Sequence, residues 1–226
     1  MQIIEIYRSI QGESSFAGVP CIFVRLAACN LRCVWCDSEY TFTGGTKMTA
    51  DAVEAEIAQL AGSGLVEFTG GEPMLQEREL TPLMERLLAR GYTVLLETSG
   101  ERSLQNVPHS VHKVVDVKCP GSGECGSFRM SNLESLSRQD EIKFVLADRK
   151  DYEFARDFTL QHGLKSKAGS VIFSPAFLKH PSAQRDASNC RLDPLALANW
   201  ILEDRLEVRL GLQIHKFIWE PATKGV

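Results

Sequence analysis

Cys29-Asn30-Leu31-Arg32-Cys33-Val34-Trp35-Cys36-Asp37 is the stretch on which the reading of this chain turns. Its cysteines are spaced Cys-x3-Cys-x2-Cys, directly after the apolar run Cys21-Ile22-Phe23-Val24-Arg25-Leu26. Thiolates this close in sequence converge readily on one metal centre, and iron–sulfur clusters are held by cysteine thiolates, usually four. With three ligands close together, a [4Fe–4S] cluster here has one iron without a protein ligand. An open position is what separates catalytic metal sites from closed structural ones. A structural zinc site and three unrelated thiols stay open as readings, although zinc sites favour paired Cys-x-x-Cys knuckles with a fourth ligand.

The bulk composition narrows the class. The 226 residues are 44% apolar and 24% charged, which fits one soluble globular domain spanning 1–226. The net charge of −4, without a basic stripe, gives no reason to expect nucleic-acid binding. No apolar run is long enough to span a bilayer, and Met1 leads directly into Gln2-Ile3-Ile4-Glu5-Ile6-Tyr7 rather than a signal peptide. Seven cysteines, an odd number with three clustered, point to reduced thiols in a cytoplasm and not to a disulfide framework.

Outward from the cysteine loop, strand and helix patterns alternate. Strands are expected over 3–7 and 21–26, with a polar loop Ser9-Ile10-Gln11-Gly12-Glu13-Ser14-Ser15 between them. A helix begins behind Thr49, a good N-cap, and stops at Gly62-Ser63-Gly64. A strand over 65–69 runs into Gly70-Gly71-Glu72-Pro73, a helix covers 77–90, and a strand over 92–97 ends in Thr98-Ser99-Gly100. Further strands are expected over 113–117, 141–146, 170–174 and 212–218, and further helices over 151–162 and 193–202. The segment 180–191 reads as a loop. This alternation argues an α/β fold with a parallel sheet. Each polar motif follows a strand, and that edge carries the active site in α/β barrels and open α/β sheets.

The cysteine spacing resembles the cluster motif of the radical S-adenosylmethionine (radical SAM) enzymes. Gly70-Gly71-Glu72-Pro73, a turn when read alone, resembles that family's element for the SAM amino group. Ser9-Ile10-Gln11-Gly12-Glu13, Phe23-Val24-Arg25-Leu26, Cys36-Asp37-Ser38, Glu97-Thr98-Ser99-Gly100 and Gln213-Ile214-His215-Lys216 together resemble the 7-carboxy-7-deazaguanine synthase family from end to end. That resemblance implies a modified, partial (β/α) TIM-type barrel with fewer than eight strand–helix units. It implies a carbon–nitrogen lyase that rearranges 6-carboxytetrahydropterin to 7-carboxy-7-deazaguanine by radical ring contraction with loss of ammonia. The implied cofactors are a [4Fe–4S] cluster, SAM and Mg²⁺. A reductant protein such as flavodoxin or ferredoxin and a homodimer are implied as well.

Residue by residue, the resemblance makes Cys29, Cys33 and Cys36 the cluster ligands and Ser38 a Mg²⁺ ligand. It places Ile10, Gln11, Gly12, Glu13, Arg25, Thr69, His215 and Pro221 at the substrate. Trp35, Cys36, Asp37, Gly71, Glu72, Ser99, Lys118, Pro120 and Ser122 fall at SAM positions. Gln11 and Glu13 suit the donor and acceptor edges of a pterin, and Arg25 suits a carboxylate. Cys21, Cys119, Cys125 and Cys190 are expected to be non-ligands. In some family members the chain stops at the proline matching Pro221, whose terminal carboxylate then meets the substrate. This sequence continues through Ala222-Thr223-Lys224-Gly225-Val226, which puts that role in doubt. Two rivals differ in chemistry: a glycyl-radical activase, which needs a protein-docking surface, and a zinc-holding binding module.

Overall fold

Period-two alternation within the strands places the interior. The computed structural model describes residues 1–60, 62–221 and 223–225, and its strands form one sheet. In chain order these are β1 (Gln2–Ile10), β2 (Pro20–Leu26), β3 (Thr46–Lys47), β4 (Leu65–Gly70), β5 (Thr93–Thr98), β6 (His112–Asp116), β7 (Glu141–Leu146), β8 (Ser170–Pro175) and β9 (Arg209–Leu210). Their spatial order is β3-β1-β2-β4-β5-β6-β7-β8-β9. β1 runs antiparallel to both β2 and β3, and every neighbouring pair from β2 to β9 is parallel.

The helices are α1 (Ala50–Gln59), α2 (Glu77–Ala89), α3 (Arg149–Gln161), α4 (Leu164–Lys167), α5 (Pro194–Glu203) and α6 (His215–Ile218). Their starts follow from local chemistry: the Thr49 hydroxyl accepts from Ala52 N at 3.2 Å, and Asp148 from Asp151 N at 3.0 Å. β6 is followed by 3₁₀ turns, Pro120–Ser122 and Met130–Glu134, where a full unit would carry a helix. Among the described residues β3 and β9 do not pair, so the curved sheet stays open. The fold is therefore a partial TIM-type barrel with fewer than eight strand–helix units.

Alternate strand residues separate two environments. Ile22, Val24 and Leu26, then Val66 and Phe68, Val94 and Leu96, and Ile142 and Phe144 face the helices and join one large apolar core. The residues between them point to the concave side. There Cys21, Phe23, Leu65 and Leu95 form a second apolar layer. Toward the strand C-termini the same face carries Arg25, Thr69, Glu67, Glu97, Asp116 and Lys143, all of which line a cavity. The apolar layer is the floor, and the polar ends above it form the site.

Two expectations are corrected. Ser9 and Ile10 belong to β1, because they pair with Cys21 and Pro20 of β2. The expected strand over 212–218 is instead the helical turn α6, which follows the short edge strand β9. Ile214 N donates to Gly12 O at 2.9 Å, so this segment satisfies its backbone against the N-terminal loop rather than the sheet.

Candidate active site

The strand ends surround a cavity of about 290 Å³. It brings together Cys29, Cys33 and Cys36 with Gln11, Glu13, Arg25, Thr69, Gly71, Glu72, Ser99, Lys118 and His215, residues far apart in the chain. Ile10, Gly12, Trp35, Asp37, Ser38 and Pro221 line the same space. Pro120 and Ser122 do not line it. Ser122 is buried behind the cysteine loop, where its carbonyl accepts from Val34 N at 2.9 Å. Cys21, Cys119, Cys125 and Cys190 also lie off the wall.

The cysteine loop has several fixed points. Ala28, just before it, adopts φ +74°, a left-handed conformation that costs a residue with a Cβ about 1–3 kcal/mol. It is held there by bonds from its N–H to Thr41 O at 2.7 Å and from Glu72 N to its carbonyl at 2.9 Å. Arg32 N donates to Glu124, and Leu31 N to the Cys29 sulfur at 3.4 Å. All three cysteines are free, half-buried thiols. Burial pushes Cys33 up to about 11, while the nearby Lys118 ammonium pulls it back and the other two cysteines add to the rise. Three free thiols on one wall, close enough to perturb each other and backed by a cation, fit a thiolate-held cluster. Among the described residues no three Cys, His, Asp or Glu side chains gather around a point for a single ion.

The glycine element is pressed against this loop. A Cβ on Gly71 would stand 2.1 Å from Ala28 O, and one on Gly70, at φ +142°, would stand 2.2 Å from Leu26 O. Both positions require glycine because backbone meets backbone. Glu72 is 1% exposed, and both carboxylate oxygens are engaged. One accepts from Met74 N at 3.0 Å and Thr98 Oγ1 at 2.7 Å; the other accepts from Ser99 N at 2.8 Å and Ser99 Oγ at 2.6 Å. Four donors fill a carboxylate's capacity. Glu72 and Ser99 thus clamp the ends of β4 and β5 together, leaving Glu72 little room for a direct grip on an ammonium.

A charged network missed in the sequence lies across the cavity. Lys143 Nζ donates to Glu13 Oε2 at 2.6 Å and to Glu97. Gln213 Nε2 holds the other Glu13 oxygen at 2.7 Å, and Gln11 Nε2 donates to Glu67 Oε2 at 2.9 Å. Burial would raise the Glu13 carboxyl, but Lys143 overrides it and brings it down to about 2. Burial and the neighbouring Glu97 push Glu67 up to about 8. Burial likewise pushes Glu97 up to about 7 despite Lys143. Three carboxyls share one lysine, so the network retains a proton near neutral pH. A signal was present in the sequence: Glu67, Glu97, Asp116 and Lys143 each stand inside an apolar strand, where a charge must face a polar interior.

The C-terminal segment covers one side. His215 packs on Gly12, whose added Cβ would fall 2.0 Å from the imidazole Nδ1. Burial lowers the His215 pKa and favours the neutral ring. Lys216 Nζ donates to Asp37 Oδ2 at 2.7 Å, and Ser38 Oγ to Asp37 Oδ1 at 2.9 Å. Burial alone would raise Asp37, but Lys216 holds it well below the usual carboxylate range. Arg25 is anchored through Nε to Glu5 Oε1 at 2.8 Å and through Nη2 to the Tyr7 hydroxyl at 2.7 Å. The expected two-pronged grip on a ligand carboxylate is therefore partly used within the protein.

Residues 24–116 match the Radical SAM superfamily. The full chain is 70% identical over 226 residues, covering all of both proteins, to a 7-carboxy-7-deazaguanine synthase of Koribacter versatilis. The chain belongs to the 7-carboxy-7-deazaguanine synthase family. A synthase of the same name from Chlorobaculum tepidum is 40% identical over 229 residues, covering 100% of this chain and 97% of that one. The crystal structure of QueE from Escherichia coli superposes with a TM-score of 0.71 at 24% identity, covering 93% of each chain, which supports the shared fold. Membership in the 7-carboxy-7-deazaguanine synthase family, within the radical SAM superfamily, makes the [4Fe–4S] cluster and SAM the cofactors and requires a reductant.

Proposed function

We propose that this chain is a 7-carboxy-7-deazaguanine synthase that rearranges 6-carboxy-5,6,7,8-tetrahydropterin to 7-carboxy-7-deazaguanine with release of ammonia, in queuosine and 7-deazapurine biosynthesis. The observation that carries this reading is a single cavity joining the three-thiol loop and glycine element to Gln11, Glu13, Arg25 and His215. The whole of 1–226 serves as one radical SAM domain. Cys29, Cys33 and Cys36 would hold the cluster, which with SAM supplies a 5′-deoxyadenosyl radical able to take one hydrogen atom from the substrate.

The residues of this chain position the substrate and manage its protons. Gln11 and Glu13, held by Glu67, Lys143 and Gln213, present preset polar groups to the pterin edge, with Ile10, Gly12 and Thr69 shaping the wall. Arg25, oriented by Glu5 and Tyr7, faces the substrate carboxylate. Glu97, balanced near neutrality, can give or take a proton at the departing nitrogen. His215 hydrogen-bonds the substrate, and Pro221 closes beside it. Trp35, Cys36, Asp37, Gly71, Ser99 and Lys118 contact SAM, while buried Glu72 and Ser122 support that surface from behind and Pro120 opens the turn that carries Ser122. Ser38, an oxygen donor beside Asp37, suits Mg²⁺, which completes its shell with water and substrate oxygens. A homodimer in the cytoplasm, reduced by a flavodoxin or ferredoxin, completes the proposal.

The test is anaerobic turnover. Reconstituted protein receives SAM, reductant, Mg²⁺ and 6-carboxytetrahydropterin, and products are read by mass and ultraviolet absorbance. The expected result is 7-carboxy-7-deazaguanine, lost in Cys33→Ala. SAM cleavage with the pterin intact would overturn the substrate assignment.

A further inference from the structure

The balance of charge in the cavity singles out one residue outside every motif. Four cations on the wall are already matched with carboxylates. Arg25 pairs with Glu5 at 2.8 Å, Lys118 with Asp116 at 2.7 Å, Lys143 with Glu13 at 2.6 Å and Lys216 with Asp37 at 2.7 Å. The fifth is Lys224, which lines the cavity and, among the described residues, has no carboxylate partner. Its ammonium instead lies 4.2 Å from the centre of the Tyr40 ring.

That position is set by the Arg25 corner. The Tyr40 hydroxyl donates to Glu5 Oε1 at 2.8 Å, the same oxygen that accepts from Arg25 Nε at 2.8 Å. The guanidinium charge is thus cancelled locally, and two of its nitrogens are occupied. A carboxylate arriving there meets a neutral ion pair in a cavity rich in acidic groups, and Lys224 is the lining cation left to add its charge beside any Mg²⁺ held at Ser38. The exposed Lys224 ammonium, held among the described residues only by the half-buried Tyr40 ring, can turn to a stronger partner.

We propose that Lys224 is a specificity-determining residue that binds the substrate's carboxylate, so that the segment beyond Pro221 selects carboxylated pterins. This rests on the function proposed above. SAM also carries a carboxylate, and the experiment separates the two.

Equilibrium dialysis is run on the reconstituted, SAM-loaded protein without reductant, using 6-carboxypterin and unsubstituted pterin as probes. Wild type is expected to prefer 6-carboxypterin. Lys224→Gln is expected to lose about tenfold of that preference, the scale of one charge-assisted contact, and Lys224→Arg to recover most of it. In turnover, Lys224→Gln should raise KM for the carboxylated substrate while kcat and KM for SAM hold. A wild type that does not distinguish the probes overturns the substrate reading itself. A Lys224→Gln protein that keeps the full preference overturns only the role of Lys224, and a rise confined to the SAM KM reassigns the ammonium to SAM.

Discussion

A single missing Cβ lets the two halves of the cofactor site meet. Gly71 sits so close to Ala28 O that any side chain forces the glycine element away from the cysteine loop. Gly71→Ala is expected to cost about 1–3 kcal/mol through overpacking and to lower the iron bound per chain after reconstitution. Unfolding curves and iron analysis check this; unchanged iron with unchanged stability would refute the close contact. The need for glycine is legible in Gly70-Gly71-Glu72-Pro73. The role of Glu72 is not, because its four donors come from Met74, Thr98 and Ser99, brought together only by the pairing of β4 and β5. The same holds for Arg25, whose partners Glu5 and Tyr7 lie on the adjacent β1.

At the scale of elements, the parallel strands and the longer helices follow from apolar periodicity and capping residues, and they lie within a few residues of the expected bounds. α2 places Leu80, Leu83, Met84 and Leu87 on one fully buried face at helical spacing. Leu83→Ala should therefore destabilise the fold by about 2–5 kcal/mol, read as a lowered denaturant midpoint, while a loss well under 1 kcal/mol would contradict that packing. The C-terminal segment is the failure. Apolar residues over 212–218 read as a strand, but a strand needs a neighbouring edge. The groups available to this stretch are Gly12 O, Glu13 and Asp37, which draw it into the turn α6.

Across the whole molecule, the cavity's shared protons couple folding to pH. Glu67 near 8 and Glu97 near 7 stand above the ordinary value of 4.5, so the folded chain binds more protons than the unfolded chain between 4.5 and 8. Their contribution to stability is full below 4.5 and is lost as pH rises through 7 to 8. Glu13, near 2, acts oppositely and loses its contribution as pH falls from 4.5 toward 2. The Tm of the cofactor-free protein should fall between about pH 5 and pH 8, with a free-energy slope up to about 1.4 kcal/mol per pH unit for each extra proton the folded chain holds. Glu67→Gln should flatten that fall. A Tm that rises over this window, or a variant with an unchanged slope, would refute the shared-proton network.

The sequence by itself determined the chemistry: three thiols spaced for a cluster, a glycine element that only close backbone contact explains, and strand–helix alternation that sends each motif to one sheet edge. These are local properties, written within stretches of ten residues or fewer. Only the tertiary structure decided which polar groups are spent on one another and which remain for a ligand. Glu72 is filled within the protein, Gln11 and Glu13 are preset by their neighbours, burial pushes Glu67 and Glu97 toward the protonated form, and Lys224 comes to Tyr40 at the Arg25 corner across almost the whole chain. Those outcomes depend on distances between residues remote in sequence and on the exclusion of water from a cavity that only the assembled, open sheet creates.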